Sequence, residues 1–125
     1  MPTVTVASNL TVLKPDLENL VQQMTDVLAK QAKVPREYVH IHVQHGQFMS
    51  FGADTSAPLC QVSVLTVTEQ LDYATKNQIA KDLQPILESA FTGLQPQRTQ
   101  VIFPSIPLEN IAIGAALLAP DPKSS

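Results

Sequence analysis

The sequence has one cysteine, Cys60, among 125 residues. It can therefore form neither an intrachain disulfide nor a Cys-x-x-Cys redox pair. Tryptophan is absent and aromatic residues make up 5% of the chain. A core of Val, Leu, Ile and Ala is expected, and any ring-stacking site must draw on Tyr38, Tyr73 or the four Phe residues. Basic residues are few and scattered: eight Lys and Arg stand against eleven Asp and Glu, for a formal charge of −3 and a pI near 5.4. This argues against nucleic acid or an anionic membrane as a partner, since both require concentrated positive charge. No basic segment followed by an apolar run marks a secretory signal. The longest apolar stretch near the end, 111–119, falls far short of the ~20 residues that span a bilayer. These absences predict a soluble, cytoplasmic protein, with leaderless secretion as the alternative.

What is present fits one domain, expected over residues 1–118, followed by a flexible tail at 119–125 that holds two prolines and two serines. The chain opens Met1-Pro2-Thr3-Val4-Thr5-Val6-Ala7, a β-branched alternation that predicts a strand. Removal of Met1, normal before a small residue, would leave Pro2 with a free secondary amine. The plainer reading is that proline is tolerated at the first residue of a strand. Pro15, then Leu17, Leu20, Val21, Met24, Val27 and Leu28 at offsets of three and four, predict a helix over about 15–33. Tyr38-Val39-His40-Ile41-His42-Val43 alternates as a strand, with the valines and Ile41 on one face and His40 and His42 on the other. With His45 nearby, His-x-His admits a metal reading, but no carboxylate or cysteine stands beside it, and two histidines on a polar or interface-facing side, with no metal, are the preferred account. Residues 49–58 read as a loop and 59–67 as an interior strand. Thr66 with Glu69, or Thr68, offers a cap for a second helix ending near Phe91, within which Pro85 should bend or break the helix near Lys81. Residues 99–103 predict a fourth strand, and 110–118 a short terminal one.

Strand, amphipathic helix and strand thus occur twice, and each half is expected to form a right-handed parallel unit. Two such units make an α+β fold: one four-stranded mixed sheet with both helices on one face. The other face, expected to be bare and largely apolar, predicts burial against copies of the chain in a closed homo-oligomer.

The order of Met1-Pro2, Lys33 with Pro35, the 38–43 strand, Met49-Ser50-Phe51-Gly52 and Leu59-Cys60 resembles the tautomerase superfamily, in its macrophage migration inhibitory factor (MIF) branch, over about 1–114. The resemblance implies a homotrimer with sheets lining a central channel and sites at the subunit interfaces. It implies cofactor-independent keto–enol tautomerisation of small aromatic 2-oxo acids such as phenylpyruvate, with the Pro2 amine as general base, lowered in pKa by burial. Lys33 and the Leu65 N–H would hold the carboxylate or oxyanion, and Tyr38, Ile102 and Ile113 would complete the pocket. Without the resemblance, Lys33 reads as a solvated residue favourable at a helix C-terminus.

Departures from the family pattern are specific. Ile102 and Pro104 stand where a Tyr and an Asn from the neighbouring subunit are expected, and Gly114-Ala115-Ala116-Leu117 replaces an aromatic ending. Two polar contacts and an aromatic wall are lost, so a MIF-like trimeric binding or signalling protein with weak or no catalysis is the alternative. Thiol chemistry is not carried over to Cys60. A dehalogenase- or decarboxylase-like activity would need arginines at the pocket, and only Arg36 and Arg98 exist.

Overall fold

The computed structural model describes residues 1–123. Strand β1, Thr3–Ser8, alternates half-buried and buried residues along its length, the period of a strand with one face in a core. Helix α1, Lys14–Ala32, buries Leu20, Met24, Leu28 and Ala29 from the stripe read in the sequence. It begins without a side-chain cap: the Asp16 and Leu17 N–H groups both donate to the Leu13 carbonyl, each at 3.0 Å. A single 3-10 turn, Arg36–Tyr38, leads into β2, His40–Gln44. Strand β3, Cys60–Val67, then α2, Tyr73–Ala90, and β4, Thr99–Ile102, repeat the pattern.

The sheet order is β2-β1-β3-β4. Strand β1 is parallel to β2, β3 is parallel to β4, and β1 pairs antiparallel with β3, so the two halves join through their first strands. This is the predicted α+β architecture, with an addition: a two-residue strand β5, Ser105–Ile106, pairs parallel with the end of β3. The predicted terminal strand is instead a hairpin of β6, Ala112–Ile113, and β7, Ala116–Leu117, turning at Gly114 with φ +65°. Of the expected flexible tail, Ser124 and Ser125 lie outside the described residues, and the Lys123 N–H donates to Asp121 Oδ1 at 2.9 Å.

Both helices pack on one face, where Val4, Val6, Val62 and Val64 meet Met24, Leu28, Ile79, Leu83, Leu87 and Phe91. Each such side chain contributes about 1.5–3 kcal/mol on burial. The absence of Trp has the expected outcome, an aliphatic core around one ring.

Three expectations need correction. The uncovered face is not largely apolar. Cross-strand register places Thr3, Thr5 and Ala7 beside His40, His42 and Gln44 on one side and beside Leu65, Ser63 and Gln61 on the other, with Gln100 and Ile102 beyond. Leu65 and Ile102 are the large apolar members. Counting apolar residues along each strand hid this, because register gathers the polar positions of all four strands on one side. Second, neither Thr66 nor Thr68 caps α2. Their N–H groups donate to the Pro104 and Ile106 carbonyls, which extends β3, and the cap is Asp72, whose Oδ1 accepts from the Thr75 N–H at 2.8 Å. Third, α2 runs unbroken through Pro85, which lies on its exposed side, where water can take the freed carbonyl.

Hydrogen bonds from Thr75 hold the Asp72 carboxyl below its ordinary 3.8. A depressed carboxyl stabilises the fold above its unfolded value, and this contribution is lost as pH falls through the folded one. Asp72→Ala is accordingly expected to lower the urea midpoint at pH 7, with the gap to wild type closing as the pH falls below the ordinary 3.8 and through the lowered folded value; a gap of constant size across that range would rule the cap out.

Candidate functional site

Pro2 precedes β1 and its side chain is among the fully buried ones. Its carbonyl accepts from the His40 N–H at 3.1 Å, which extends the β1–β2 pairing to the start of the chain. Met1 is held at both ends of its residue: the Thr3 hydroxyl donates to Met1 Sδ at 3.2 Å, and Gln70 Nε2 donates to the Met1 carbonyl at 3.1 Å. Gln70 is itself fixed, its Oε1 accepting from the Val67 N–H at 3.3 Å. Burial lowers the α-amine below its ordinary 8.0. An amine at this end of the fold is therefore partly desolvated.

Beside Met1 lies a hollow of about 370 Å3, whose lining includes Thr3, Glu37, Tyr38, His40 and Ile113. The structure thus brings the predicted Tyr38 and Ile113 to the start of the chain. Leu65 lies opposite Thr3 across the β1–β3 ladder, one residue from Pro2. Lys33 does not line the hollow. It terminates α1 in the left-handed conformation, φ 57° and ψ 47°, and its charge acts on Asp72 at the start of α2. Ile102 lies on β4, opposite Ser63 and two strands from β1, so within one chain it cannot reach the hollow. Pro104 is engaged in the β4–β5 connection, its carbonyl accepting from Thr66.

Sequence reading missed Glu37, His40 and Gln70 as neighbours of this corner. The alternation of the 38–43 strand placed His40 on the correct face, and pairing Thr3 with His40 required the register. No sequence signal marks Gln70, which arrives from a turn after β3.

The remaining candidates have structural duties. His45 Nδ1 accepts from the Val12 N–H at 3.0 Å, and among the described residues no three His, Cys, Asp or Glu side chains are grouped to hold a metal. Arg98 pins the 49–58 loop by donating to the Pro58, Phe51, Asp54 and Ala57 carbonyls, and Arg36 bonds Asp26 and Gln22 on α1. A larger groove of about 590 Å3 runs between α1 and β2, with Pro15, Leu17, Val21, Ile41 and Val43 in its wall; Glu18 is the charged residue of its lining, and it does not include the start of the chain. No described helix is long and apolar enough to cross a membrane.

The family model described as macrophage migration inhibitory factor (MIF) matches residues 1–119. The chain belongs to the MIF family. It is 38% identical over 65 residues to the macrophage migration inhibitory factor of Xenopus tropicalis, covering 50% of this chain and 55% of that one. The match thus spans about half the length of that curated relative. The crystal structure of the MIF homologue from Prochlorococcus marinus covers 94% of this chain and 100% of its own at 20% identity, with a TM-score of 0.83. A structure described as a fused 4-OT wild type symmetric trimer covers 93% and 94% at 14% identity, with a TM-score of 0.80. Both likenesses concern the fold.

Cys60, the one thiol, is buried, and burial pushes it up to about 12. The thiolate is the reactive form. A thiol reagent at pH 8 is therefore expected to leave the native MIF-family protein almost unlabelled and to label it rapidly in urea, with thiol release followed by absorbance; fast native labelling would reopen a thiol activity.

Proposed function

We propose that this protein is a cofactor-independent keto–enol tautomerase of small aromatic 2-oxo acids, phenylpyruvate among them, with the Pro2 amine, freed by removal of Met1, as general base. The observation that carries this reading is the burial of the chain's first residues beside an open hollow. A buried amine disfavours its charged form, so a larger share is free base near neutrality. The base takes a proton from the carbon next to the substrate carbonyl, and the resulting ammonium returns it to the enol, so no cofactor is needed.

Lys33 and the Leu65 N–H are proposed to hold the carboxylate or oxyanion, with Tyr38, Ile102 and Ile113 around the ring. The left-handed conformation of Lys33 supports a functional reason for lysine there. Glycine adopts that geometry freely, whereas other residues are strained in it. Ile102 is two strands from β1, so its part in the pocket requires another copy of the chain. The proposed assembly is a homotrimer of residues 1–118 with sheets around a channel; a structure of similar fold is described as a symmetric trimer. The polar uncovered face suits a wet channel, and contact between copies falls to the sheet edges. There β2 and β4 have one unpaired side, the groove along β2 is largely apolar, and Tyr38, Phe48, Ile113 and Leu117 are exposed. A trimer that binds or signals with little turnover is the second reading, favoured by Ile102 and Pro104 at the positions expected to be polar.

Pro2→Gly is expected to reduce kcat/KM for phenylpyruvate enolisation by about 10²–10⁴, the range for loss of a general base, with an unchanged circular dichroism spectrum; full activity would remove Pro2 from the mechanism. Sedimentation equilibrium is expected to give three times the 13.6 kDa of the chain, and a monomer would leave the pocket without Ile102.

A further inference from the structure

Gln70 makes two hydrogen bonds that fix which end of its carboxamide faces the start of the chain. Oε1 accepts from the Val67 N–H at 3.3 Å and Nε2 donates to the Met1 carbonyl at 3.1 Å. Turning the amide over would set a donor against an N–H and an acceptor against a carbonyl, so the NH2 end is the one presented. Val67 lies in β3, where the Thr66 and Thr68 N–H groups on either side are tied to Pro104 and Ile106. The anchor is therefore part of the sheet. The Met1 carbonyl is joined to the Pro2 nitrogen by one amide bond, and that bond is lost when Met1 is removed. The acceptor that Gln70 now holds leaves with the methionine, and the nitrogen left behind, bonded until then to the same carbonyl carbon, acquires a lone pair beside the vacated position.

On this basis we propose that Gln70 is a positioning residue for the N-terminal amine: its carboxamide N–H passes from the Met1 carbonyl to the lone pair of Pro2. The inference deepens the tautomerase reading and rests on removal of Met1. A donor aimed at the nitrogen favours the neutral amine over the ammonium, because the ammonium has no lone pair to accept it. It also holds the pyrrolidine in one orientation toward the hollow. Other titratable groups in this region are Glu37 and Tyr38 from the turn before β2 and His40 from β2, which line the hollow. Glu69 adjoins Gln70 in the chain, and Lys33 and Asp72 stand at the facing helix ends. Among the described residues none of these is bonded to the Met1 carbonyl, and the side-chain donor fixed there is that of Gln70.

The test uses full-length protein labelled with 15N-proline, in which the amine nitrogen of Pro2 is followed by NMR across pH, alongside mass spectrometry of the N-terminus. Gln70→Leu removes the donor and is expected to raise the amine pKa by about 0.5–1 unit, the size of one neutral hydrogen bond. Gln70→Glu keeps an oxygen for the Val67 N–H, which protects the fold, and replaces the donor by a charge that favours the ammonium, so it is expected to raise the pKa further. The pH at which kcat/KM rises should move with the NMR value. A processed protein whose amine titrates alike in wild type and both variants overturns the role of Gln70 and leaves Pro2 as base intact. A KM increase at unchanged amine pKa also overturns it, by assigning Gln70 to the substrate. Retention of Met1 in the mature protein overturns both readings. Because the NMR measurement does not depend on turnover, inactivity toward 2-oxo acids would count against the tautomerase reading alone.

Discussion

The antiparallel pairing of β1 with β3 is the contact on which the rest depends. Each half of the chain is a parallel unit that closes locally. The six-residue register from Thr3 with Leu65 to Ser8 with Cys60 joins the two units into one sheet. Because side chains alternate, that register does two things at once. It sends Val4, Val6, Val62 and Val64 under the helices, and it sends Thr3, Thr5, Gln61, Ser63 and Leu65 to the open face. A slip of one residue would exchange the two sets, at the cost of the whole core. The start of the chain is thereby fixed next to the centre of the sheet rather than at its edge.

The corner around Pro2 follows from this arrangement. A strand that begins at the middle of a sheet has neighbours on both sides, so the residue before it is covered by β2 through the His40 N–H and approached by the turn after β3 through Gln70. Burial of an amine there is a property of position more than of proline itself. The polar open face and the exposed apolar residues at the edges have the same origin. Four strands in register segregate Thr, His, Gln and Ser onto one side with Leu65 and Ile102 among them, and exposed apolar residues away from that face include Phe48 in the loop after β2 and Ile113 and Leu117 in the β6–β7 hairpin.

Arginine and histidine show how chemistry-bearing residue types can be absorbed by structure. Arg98 meets four carbonyls, of which Phe51 and Asp54 also accept from each other's N–H groups and Ala57 from Asn9, because each carbonyl has two lone pairs and a guanidinium carries several donors. His45 serves Val12, in the turn after β2. Among the described residues Lys33 makes no such bond through its side chain, and it keeps a strained backbone at the end of α1.

The sequence by itself determined the two helices, the four main strands and their duplication, since amphipathic stripes and β-branched alternation are local patterns that depend only on spacing. It also determined the family, through Met1-Pro2, Lys33-x-Pro35 and the 38–43 strand in order. What only the tertiary structure decided was the company each residue keeps: Asp72 in place of Thr66 or Thr68 as the cap, because the threonines were claimed by β5; a polar rather than apolar open face; His40 beside Thr3; and Gln70 on the first carbonyl. Each depends on pairing between segments distant in the chain, and register, unlike periodicity, leaves no local mark in a single sequence.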